Sequence, residues 1–254
     1  MDPEKVADLI DLVKPTSVIQ AAGMRPQKAG EGFDVGGDLR IAENLVDAFR
    51  RTSATPKLIA IGSCAEYGIA SAPYREELTP LPTTTYGQSK YRATEYLLEQ
   101  SRVMHLPVTL LRPSVVYGEG QSTDMFIPNL LSAIRDNKKV LASPGLQKRD
   151  FIHVNDVAEA VLACLSSNGD VFGKIFNVAG GQSYTLREVA GLISKQTGKS
   201  ADSFVDFGAM DYSPDEIMDY RVSISRAAEL IKWRPSTSLD EGIKGLLRGS
   251  LGRQ

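Results

Sequence analysis

The chain has 254 residues, of which 42% are hydrophobic and 24% are charged, a balance typical of a folded protein with a substantial core. Its 29 basic and 31 acidic residues give a net charge of -2, which favours neither nucleic acid nor an anionic membrane as a partner. The few cysteines and histidines (Cys64, Cys164, His105 and His153) provide no metal cluster and no disulfide framework. Because no apolar run approaches about 20 residues, we expect a soluble cytoplasmic protein that binds small molecules.

Short apolar runs alternate with helical patterns along the chain. Buried strands are predicted at Ser17–Ala22, Leu58–Gly62, Val108–Arg112 and Ile175–Val178. Amphipathic helices are predicted at Asp38–Arg51, Tyr86–Met104, Met125–Asp136, Val154–Ser166 and Leu186–Thr197. This alternation predicts an α/β fold with a doubly wound, mostly parallel sheet of the Rossmann type.

The second half of the sequence contains longer irregular stretches, such as Ser143–Arg149 and Asp202–Tyr220. We therefore predict two domains. Residues 1–120 form a partial dinucleotide-binding domain, and residues 121–254 form mainly a smaller substrate-binding lobe, with residues 150–180 returning to the sheet.

A phenol and an ammonium group lie four residues apart at Tyr86 and Lys90, so both share one face of a predicted helix. Threonines at 83–85 offer N-cap hydroxyls, which places Tyr86 in the first turn. The helix terminus and the Lys90 charge both favour the ionised phenol and lower its pKa from about 10 toward neutrality. With Ser63 ending an earlier apolar strand, this order points to a hydride-transfer site. The alternative is that Tyr86 packs in the core and Lys90 is solvated.

Several phrases of the sequence resemble, in order, the extended short-chain dehydrogenase/reductase family, also called the NAD-dependent epimerase/dehydratase family of nucleotide-sugar enzymes. They are Val18–Ala22, Ser63–Gly68, Tyr86-x-x-x-Lys90, Leu111–Gly118, Arg149–Val154, Phe176–Val178 and Lys232–Pro235. The resemblance implies that Tyr86 is the catalytic acid/base and that Ser63 hydrogen-bonds the reacting oxygen. It also implies that Lys90 tunes Tyr86 and holds the nicotinamide ribose of NAD or NADP.

The same resemblance assigns further binding residues. Five residues are implied to lie along the cofactor: Ala21, Ala22, Gly23, Pro113 and Ser114. Arg149 and, more weakly, Arg221 are implied to contact the substrate diphosphate, which suits the forked donors of a guanidinium group. The alternatives are that the alanines only end a strand and that Arg149 is an ordinary surface residue.

The glycine-rich turn of the family, Gly-x-x-Gly-x-x-Gly, is absent from the sequence. Met1 falls where the family enters the helix before its fourth strand, so we expect the adenosine-binding portion to precede it in a longer natural polypeptide. The strand at Ser17 would then form an exposed edge in the present chain. The choice between NAD and NADP depends on that absent portion.

Other departures concern the substrate side. Cys64 and Ala65 stand where sugar dehydratases of the family carry an acidic residue, which disfavours elimination chemistry. Glu66 comes one position later, and strand alternation would turn it to the opposite face, so no role is assigned to it. Val115 replaces a frequent asparagine that reaches the diphosphate, and Asp38 replaces another near the active-site tyrosine.

The leading hypothesis is an NAD(P)-dependent epimerase or ketoreductase acting on a nucleotide sugar through Ser63, Tyr86 and Lys90. The alternative is a cofactor-free binding or partner subunit of the same fold, which the missing glycine turn motivates. The resemblance also implies a homodimer in which the helices Asp38–Arg51 and Tyr86–Met104 form a four-helix bundle.

Overall fold

The computed structural model describes residues 2–24, 34–51, 55–167 and 171–251. Its helices are α1 (Pro3–Val13), α2 (Gly37–Arg51), α3 (Thr85–Met104), α4 (Phe126–Arg135), α5 (Val154–Ser166), α6 (Leu186–Thr197), α7 (Ser225–Leu230) and α8 (Leu239–Leu251). Its strands are β1 (Ser17–Gln20), β2 (Lys57–Ile61), β3 (Val108–Pro113), β4 (Val115–Tyr117), β5 (Val140–Ala142), β6 (Lys148–His153), β7 (Lys174–Val178), β8 (Ser183–Thr185), β9 (Val205–Phe207) and β10 (Asp219–Tyr220).

The four strands and five helices predicted from the sequence are present, with ends within two residues of the expected positions. Three helices, α1, α7 and α8, were not predicted. The expectation of irregular structure was wrong in part, because β6 begins within 143–149 and β9 and β10 lie within 202–220. Strands of two or three residues are too short to show a periodic pattern.

The chain divides into two compact units. The first comprises residues 1–113, 159–178 and 224–234. Its sheet has the strand order β1-β2-β3-β7, and each pair of neighbours is parallel. Apolar side chains of α1, α2 and α3 share one buried cluster with β2 and β3, which explains the nearly continuous apolar sequence of these central strands.

The first strand differs from its neighbours. In the part of the chain that the structure describes, β1 pairs only with β2 and lies at the edge of the sheet. Ile19, in the middle of β1, is 50% exposed, so the prediction of burial on both faces is wrong for this strand. An edge strand presents unpaired backbone groups on one side, as the sequence analysis expected.

The second unit comprises residues 114–158, 179–223 and 235–254. Its central strand is β6, which pairs in parallel with β4 and β10 and antiparallel with β8. A separate parallel pair joins β5 to β9. Apolar residues of α4, α6 and α8 form the core of this unit, including Ile127, Leu130, Val189, Ile193 and Ile243.

The described residues include neither a membrane-spanning helix nor a cluster of metal-binding side chains. None of the described helices combines the length and the apolar character that crossing a bilayer requires. Among the same residues, no group of three or more histidine, cysteine or acidic side chains is placed to hold a metal ion.

Candidate active site

Ser63 caps a single 3-10 turn, Cys64–Tyr67, which follows β2 directly. The Ser63 oxygen accepts a hydrogen bond from the Ala65 N–H at 3.1 Å, and a Glu66 carboxylate oxygen accepts from the Ser63 N–H at 2.8 Å. These two bonds form a capping box. From its sequence this segment was expected to continue the strand, and Glu66 was left without a role. That reading is wrong, because the backbone turns at Ser63 and Glu66 points back toward it.

Glu66 is fully buried and is paired with Arg112 of β3, which is 1% exposed. The Arg112 Nε and Nη2 atoms lie 2.8 and 2.7 Å from the same carboxylate oxygen of Glu66. The guanidinium carbon lies 4.7 Å from the centroid of the Tyr67 ring, within the range of a cation–π contact. Burial lowers the pKa of Arg112, but Glu66 and Tyr67 more than offset this, and its net pKa is raised. A buried guanidinium therefore remains charged beside the Ser63 turn.

Tyr86 lies in the first turn of α3, as predicted. Thr84 is the N-cap, and its hydroxyl accepts from the Gly87 N–H at 3.0 Å. The next residue explains how this turn meets the one capped by Ser63, because a Cβ atom at Gly87 would come within 2.5 Å of the Ala65 carbonyl oxygen. The absence of a side chain at Gly87 thus lets the start of α3 pack directly on the Ser63 turn.

Lys90 is buried one helical turn after Tyr86, and its amine lies 6.0 Å from the centroid of the Tyr86 ring. Its ion-pair partner is Asp38 of α2, at 3.0 Å. Asp38 is 1% exposed and also accepts from the Ser89 hydroxyl at 2.7 Å. The Lys90 amine reaches the Ile61 carbonyl oxygen at 3.5 Å, at the end of β2. The predicted proximity of Lys90 to Tyr86 is present, but the sequence did not reveal that a carboxylate compensates the Lys90 charge.

The predicted cofactor loop follows β1. The side chains of Ala21 and Ala22 are exposed, as is Gly23. A Cβ atom at Gly23 would lie 2.4 Å from the Lys90 amine and 2.8 Å from an Asp38 oxygen, so the loop backbone runs directly against this ion pair. Asp38 also accepts from the Met24 N–H at 3.1 Å. The structure therefore brings Ala21–Gly23, Lys90 and Tyr86 to one end of the parallel sheet.

Ser114, in the second unit, follows Pro113, the buried last residue of β3. The Ser114 hydroxyl lies 3.3 Å from Asp150, whose carboxylate also accepts from the Gly180 and Gly181 N–H groups at 2.6 and 3.2 Å. Burial raises the pKa of Asp150 to about 7, although these three donors act in the opposite direction. Asp150 received no role in the sequence analysis.

The two predicted diphosphate residues both lie in the second unit. Arg149 contacts the Glu216 carboxylate and donates to the Ile217 carbonyl oxygen at 2.6 Å. Its side chain is 20% exposed and borders a cavity of about 250 Å³ that is otherwise mostly apolar and includes Val115. Arg221 is more exposed and pairs with Asp219 at 2.7 Å, two positions away in sequence. The structure thus gives Arg149 a half-enclosed setting and Arg221 an ordinary surface pair.

Sequence reasoning missed the buried partners Glu66, Arg112 and Asp150. A signal was present for Arg112, because a charged residue that ends the apolar run Val108–Leu111 must be neutralised if the strand is buried. The identity of its partner was not readable, since Glu66 is 46 positions away.

The family model "NAD dependent epimerase/dehydratase family" matches residues 1–179 of the chain. A putative UDP-glucose 4-epimerase from Methanocaldococcus jannaschii is 28% identical over 236 residues, which is 89% of this chain and 73% of that protein. A dTDP-4-dehydro-6-deoxyglucose reductase from Escherichia coli is 30% identical over 72% of this chain, a match that spans 57% of the relative's own length.

Solved structures agree with the fold. A UDP-glucuronic acid 4-epimerase from Bacillus cereus, in complex with UDP-glucuronic acid and NAD, superposes with a TM-score of 0.88 at 23% identity, covering 99% of this chain and 81% of that one. RMD from Pseudomonas aeruginosa, complexed with NADPH, gives a TM-score of 0.87 at 24% identity, covering 100% and 86% of the two chains. The parallel α/β architecture is of the Rossmann type. The chain therefore belongs to the NAD-dependent epimerase/dehydratase family.

Proposed function

We propose that the chain carries the Ser/Tyr/Lys site of an NAD(P)-dependent epimerase or ketoreductase that acts on a nucleotide sugar. The observation that carries this proposal is the packing of two turns, one capped by Ser63 and one containing Tyr86, with Lys90 buried one helical turn further on. Relatives of both kinds match the chain, since one is named as a 4-epimerase and another as a reductase.

The residues have distinct roles in this reaction. When bound, NAD or NADP supplies the chemistry of hydride acceptance and donation at a sugar carbon. Tyr86 moves a proton to or from the oxygen on that carbon, because each hydride step needs a matching proton step. The Ser63 hydroxyl donates to the same oxygen, and Lys90 holds the nicotinamide ribose beside Tyr86.

The cofactor-side residues fit an extended dinucleotide. Ala21 and Ala22 present small, exposed side chains at the carboxyl end of β1, where ligands bind in open parallel sheets. Gly23 has no side chain to keep a ligand from the Lys90 amine, which supports the assignment of Lys90 to the nicotinamide ribose. Pro113 and Ser114 complete the proposed set at the end of β3.

The substrate-side assignment rests on Arg149, with Arg221 as a weaker second contact. The Glu216 carboxylate forms an ion pair with the Arg149 guanidinium. Arg149 therefore already binds an anionic group, and a substrate diphosphate would replace the Glu216 carboxylate. The mostly apolar cavity beside Arg149 suits the less polar part of a nucleotide. We assign residues 121–254 mainly to substrate binding on this basis.

The test uses the natural polypeptide. NAD(H) and NADP(H) binding is measured by calorimetry, and turnover is measured with UDP-, dTDP- and CDP-linked sugars and their 4-keto forms. Tyr86→Phe removes only the phenol oxygen, and we expect it to lower kcat by about 100-fold or more while cofactor affinity stays the same. Tyr91→Phe, the neighbouring tyrosine of α3, is the matched control and retains activity.

Two outcomes would contradict the proposal. Full turnover by Tyr86→Phe would remove Tyr86 from the reaction. Failure of the natural polypeptide to bind any nicotinamide cofactor would instead favour a binding or partner subunit. Cofactor that remains bound after purification would favour the epimerase, which keeps its cofactor between turnovers.

We also propose a homodimer in which α2 and α3 of two copies form a four-helix bundle, and a cytoplasmic location. The buried cysteines Cys64 and Cys164 are not joined in a disulfide, which suits a reducing compartment.

A further inference from the structure

We infer that the buried Glu66–Arg112 pair positions the Ser63 hydroxyl for the reaction. Both would then be positioning residues that act through the Ser63 turn rather than by touching the substrate. This inference rests on the proposed function, because it assigns Ser63 a task in turnover.

The Ser63 turn is held by the Glu66 carboxylate at its first residue. One carboxylate oxygen accepts from the Ser63 N–H at 2.8 Å, and the Ser63 oxygen accepts from the Ala65 N–H at 3.1 Å. Within residues 2–24, 34–51, 55–167 and 171–251, no acceptor is recorded for the Ser63 hydroxyl proton. The hydrogen bond from the Ala65 N–H therefore fixes the Ser63 oxygen, and its hydroxyl proton remains able to donate to a substrate oxygen.

Arg112 anchors the carboxylate to the centre of the sheet. It lies on β3, between β2 and β7, and its backbone pairs with Asn177. The side chain of Asn177 accepts from the Tyr67 hydroxyl at 2.8 Å, and the Tyr67 ring lies against the Arg112 guanidinium. The position of Ser63 is therefore fixed relative to strands β3 and β7 of the sheet rather than to a surface loop.

The residue before Ser63 makes room for this arrangement. A Cβ atom at Gly62 would lie 2.5 Å from the Glu66 carboxylate and 3.3 Å from the Leu111 carbonyl oxygen. A side chain at Gly62 would push the carboxylate away from the Ser63 N–H.

Capping alone does not require a buried ion pair. Thr185 and Glu188 form another capping box at the start of α6, and this glutamate is exposed. Burying Glu66 and Arg112 instead removes two charges from water, a cost that a simple cap avoids. We attribute the burial of this ion pair to the reaction, because hydride and proton transfer require the Ser63 hydroxyl to be positioned accurately.

The decisive comparison uses two double variants with Arg112→Met in common. In the first, Glu66→Gln keeps an oxygen that can accept from the Ser63 N–H. In the second, Glu66→Leu has nearly the same size but no acceptor. Neither variant buries an unpaired charge, so both should fold where a single Glu66 or Arg112 change would be strongly destabilising.

We expect the Leu double variant to lower kcat about 10- to 100-fold relative to the Gln double variant, with KM and cofactor affinity changed by less than about threefold. In a Ser63→Ala background the two double variants should differ by less than about twofold, because their effect passes through the serine. The inference would be overturned if the two double variants had equal kcat values when Ser63 is present. It would also be overturned if the Leu double variant lost as much kcat relative to the Gln double variant in Ser63→Ala as it does with Ser63 present. Glu188→Gln, which alters the capping box at the start of α6, is the control and keeps full activity.

A second measurement does not depend on turnover. Amide hydrogen exchange of Ser63 should be about tenfold faster in the Leu double variant than in the Gln double variant, while the exchange of α6 stays the same. Unchanged exchange at Ser63 would overturn the positioning role even if the protein is active. Changed exchange with no turnover of any nucleotide sugar would keep the anchoring of the turn and reject the proposed function.

Discussion

Three buried carboxylates that contact residues of the candidate site also accept hydrogen bonds from backbone N–H groups. Asp38 accepts from Met24, Glu66 from Ser63, and Asp150 from Gly180 and Gly181. Burying a carboxylate lowers the stability of the fold unless several hydrogen-bond donors or a cation compensate its charge. Each of these three carboxylates therefore fixes the backbone at a cost in folding free energy. Sequence alone showed the acidic residues but not their partners, which lie 3 to 31 positions away.

Asp150 gives a pH-dependent prediction at the residue scale. Burial raises its pKa to about 7 in the folded protein, against about 3.9 in an unfolded chain. Between these values the folded state holds a proton that the unfolded state has released. The stabilisation is therefore complete below about pH 4, falls as the pH rises toward 7, and is lost above that, by about 4 kcal/mol at most.

The measurement is the free energy of unfolding by urea at several pH values between 4 and 8. Asp150→Asn does not titrate, so the variant should lack the decrease that the wild-type protein shows over this range. A wild-type slope that persists unchanged in Asp150→Asn would show that another group is responsible.

At the scale of elements, the four strands of the parallel sheet and five amphipathic helices were predictable, but the turn after β2 and the strands of two or three residues were not. The helix carrying Tyr86 was placed correctly because threonine caps and amphipathic spacing both marked its start. The turn capped by Ser63 was missed, although Ser63 and Glu66 have the spacing of a capping box. The sequence did not indicate this capping box because an apolar strand precedes it directly, and a turn of four residues is too short to show a periodic pattern. Similarly, Asp2 and Pro3 mark the start of α1, which was not predicted.

Gly68 ends the Ser63 turn and supports a prediction at this scale. Its φ angle is +56°, and a Cβ atom there would lie 1.8 Å from the Leu81 carbonyl oxygen. The segment after the turn therefore packs backbone to backbone on residue 81. We expect Gly68→Ala to lower the free energy of unfolding by about 3 kcal/mol or more, because strain and a backbone clash add.

Gly173→Ala is the matched control in the same unit. Its φ angle is +69°, but the nearest side-chain atom to an added Cβ is the Ser101 oxygen at 3.6 Å, an ordinary contact. This variant should show only the cost of the positive φ angle, about 1 kcal/mol. Equal destabilisation of the two variants, followed by urea unfolding, would argue against the close approach at Gly68.

For the whole molecule, the resemblance identified the family, and the fold class is confirmed. The proposed dimer can be tested at this scale through the charges of α2 and α3. The outward surfaces of α2 and α3 carry many charged residues, including the exposed Asp47, Arg50, Arg92 and Glu99. A four-helix bundle would place such charges in or beside an interface, where reversing one changes the pairing.

We therefore expect the protein to sediment at twice the mass of one chain, which is 27.6 kDa for the present sequence. Arg92→Glu on α3 should shift this equilibrium toward single chains by at least about tenfold in Kd. Lys195→Glu on α6 makes a similar change of charge outside the proposed interface and should leave the mass unchanged. Sedimentation of the wild-type protein as a single chain at micromolar concentration would refute the dimer.

The two thiols of this protein offer built-in reporters of local opening. Cys64 lies inside the Ser63 turn with its sulfur 3.1 Å from the Arg112 carbonyl oxygen, and Cys164 lies on α5, where burial raises its pKa to about 12. Neither sulfur is accessible to a water-soluble alkylating reagent while the structure stays closed. The rate at which each thiol reacts in the native protein therefore measures how often its own segment opens, so the rigidity of the turn that carries Ser63 can be followed without introducing any label.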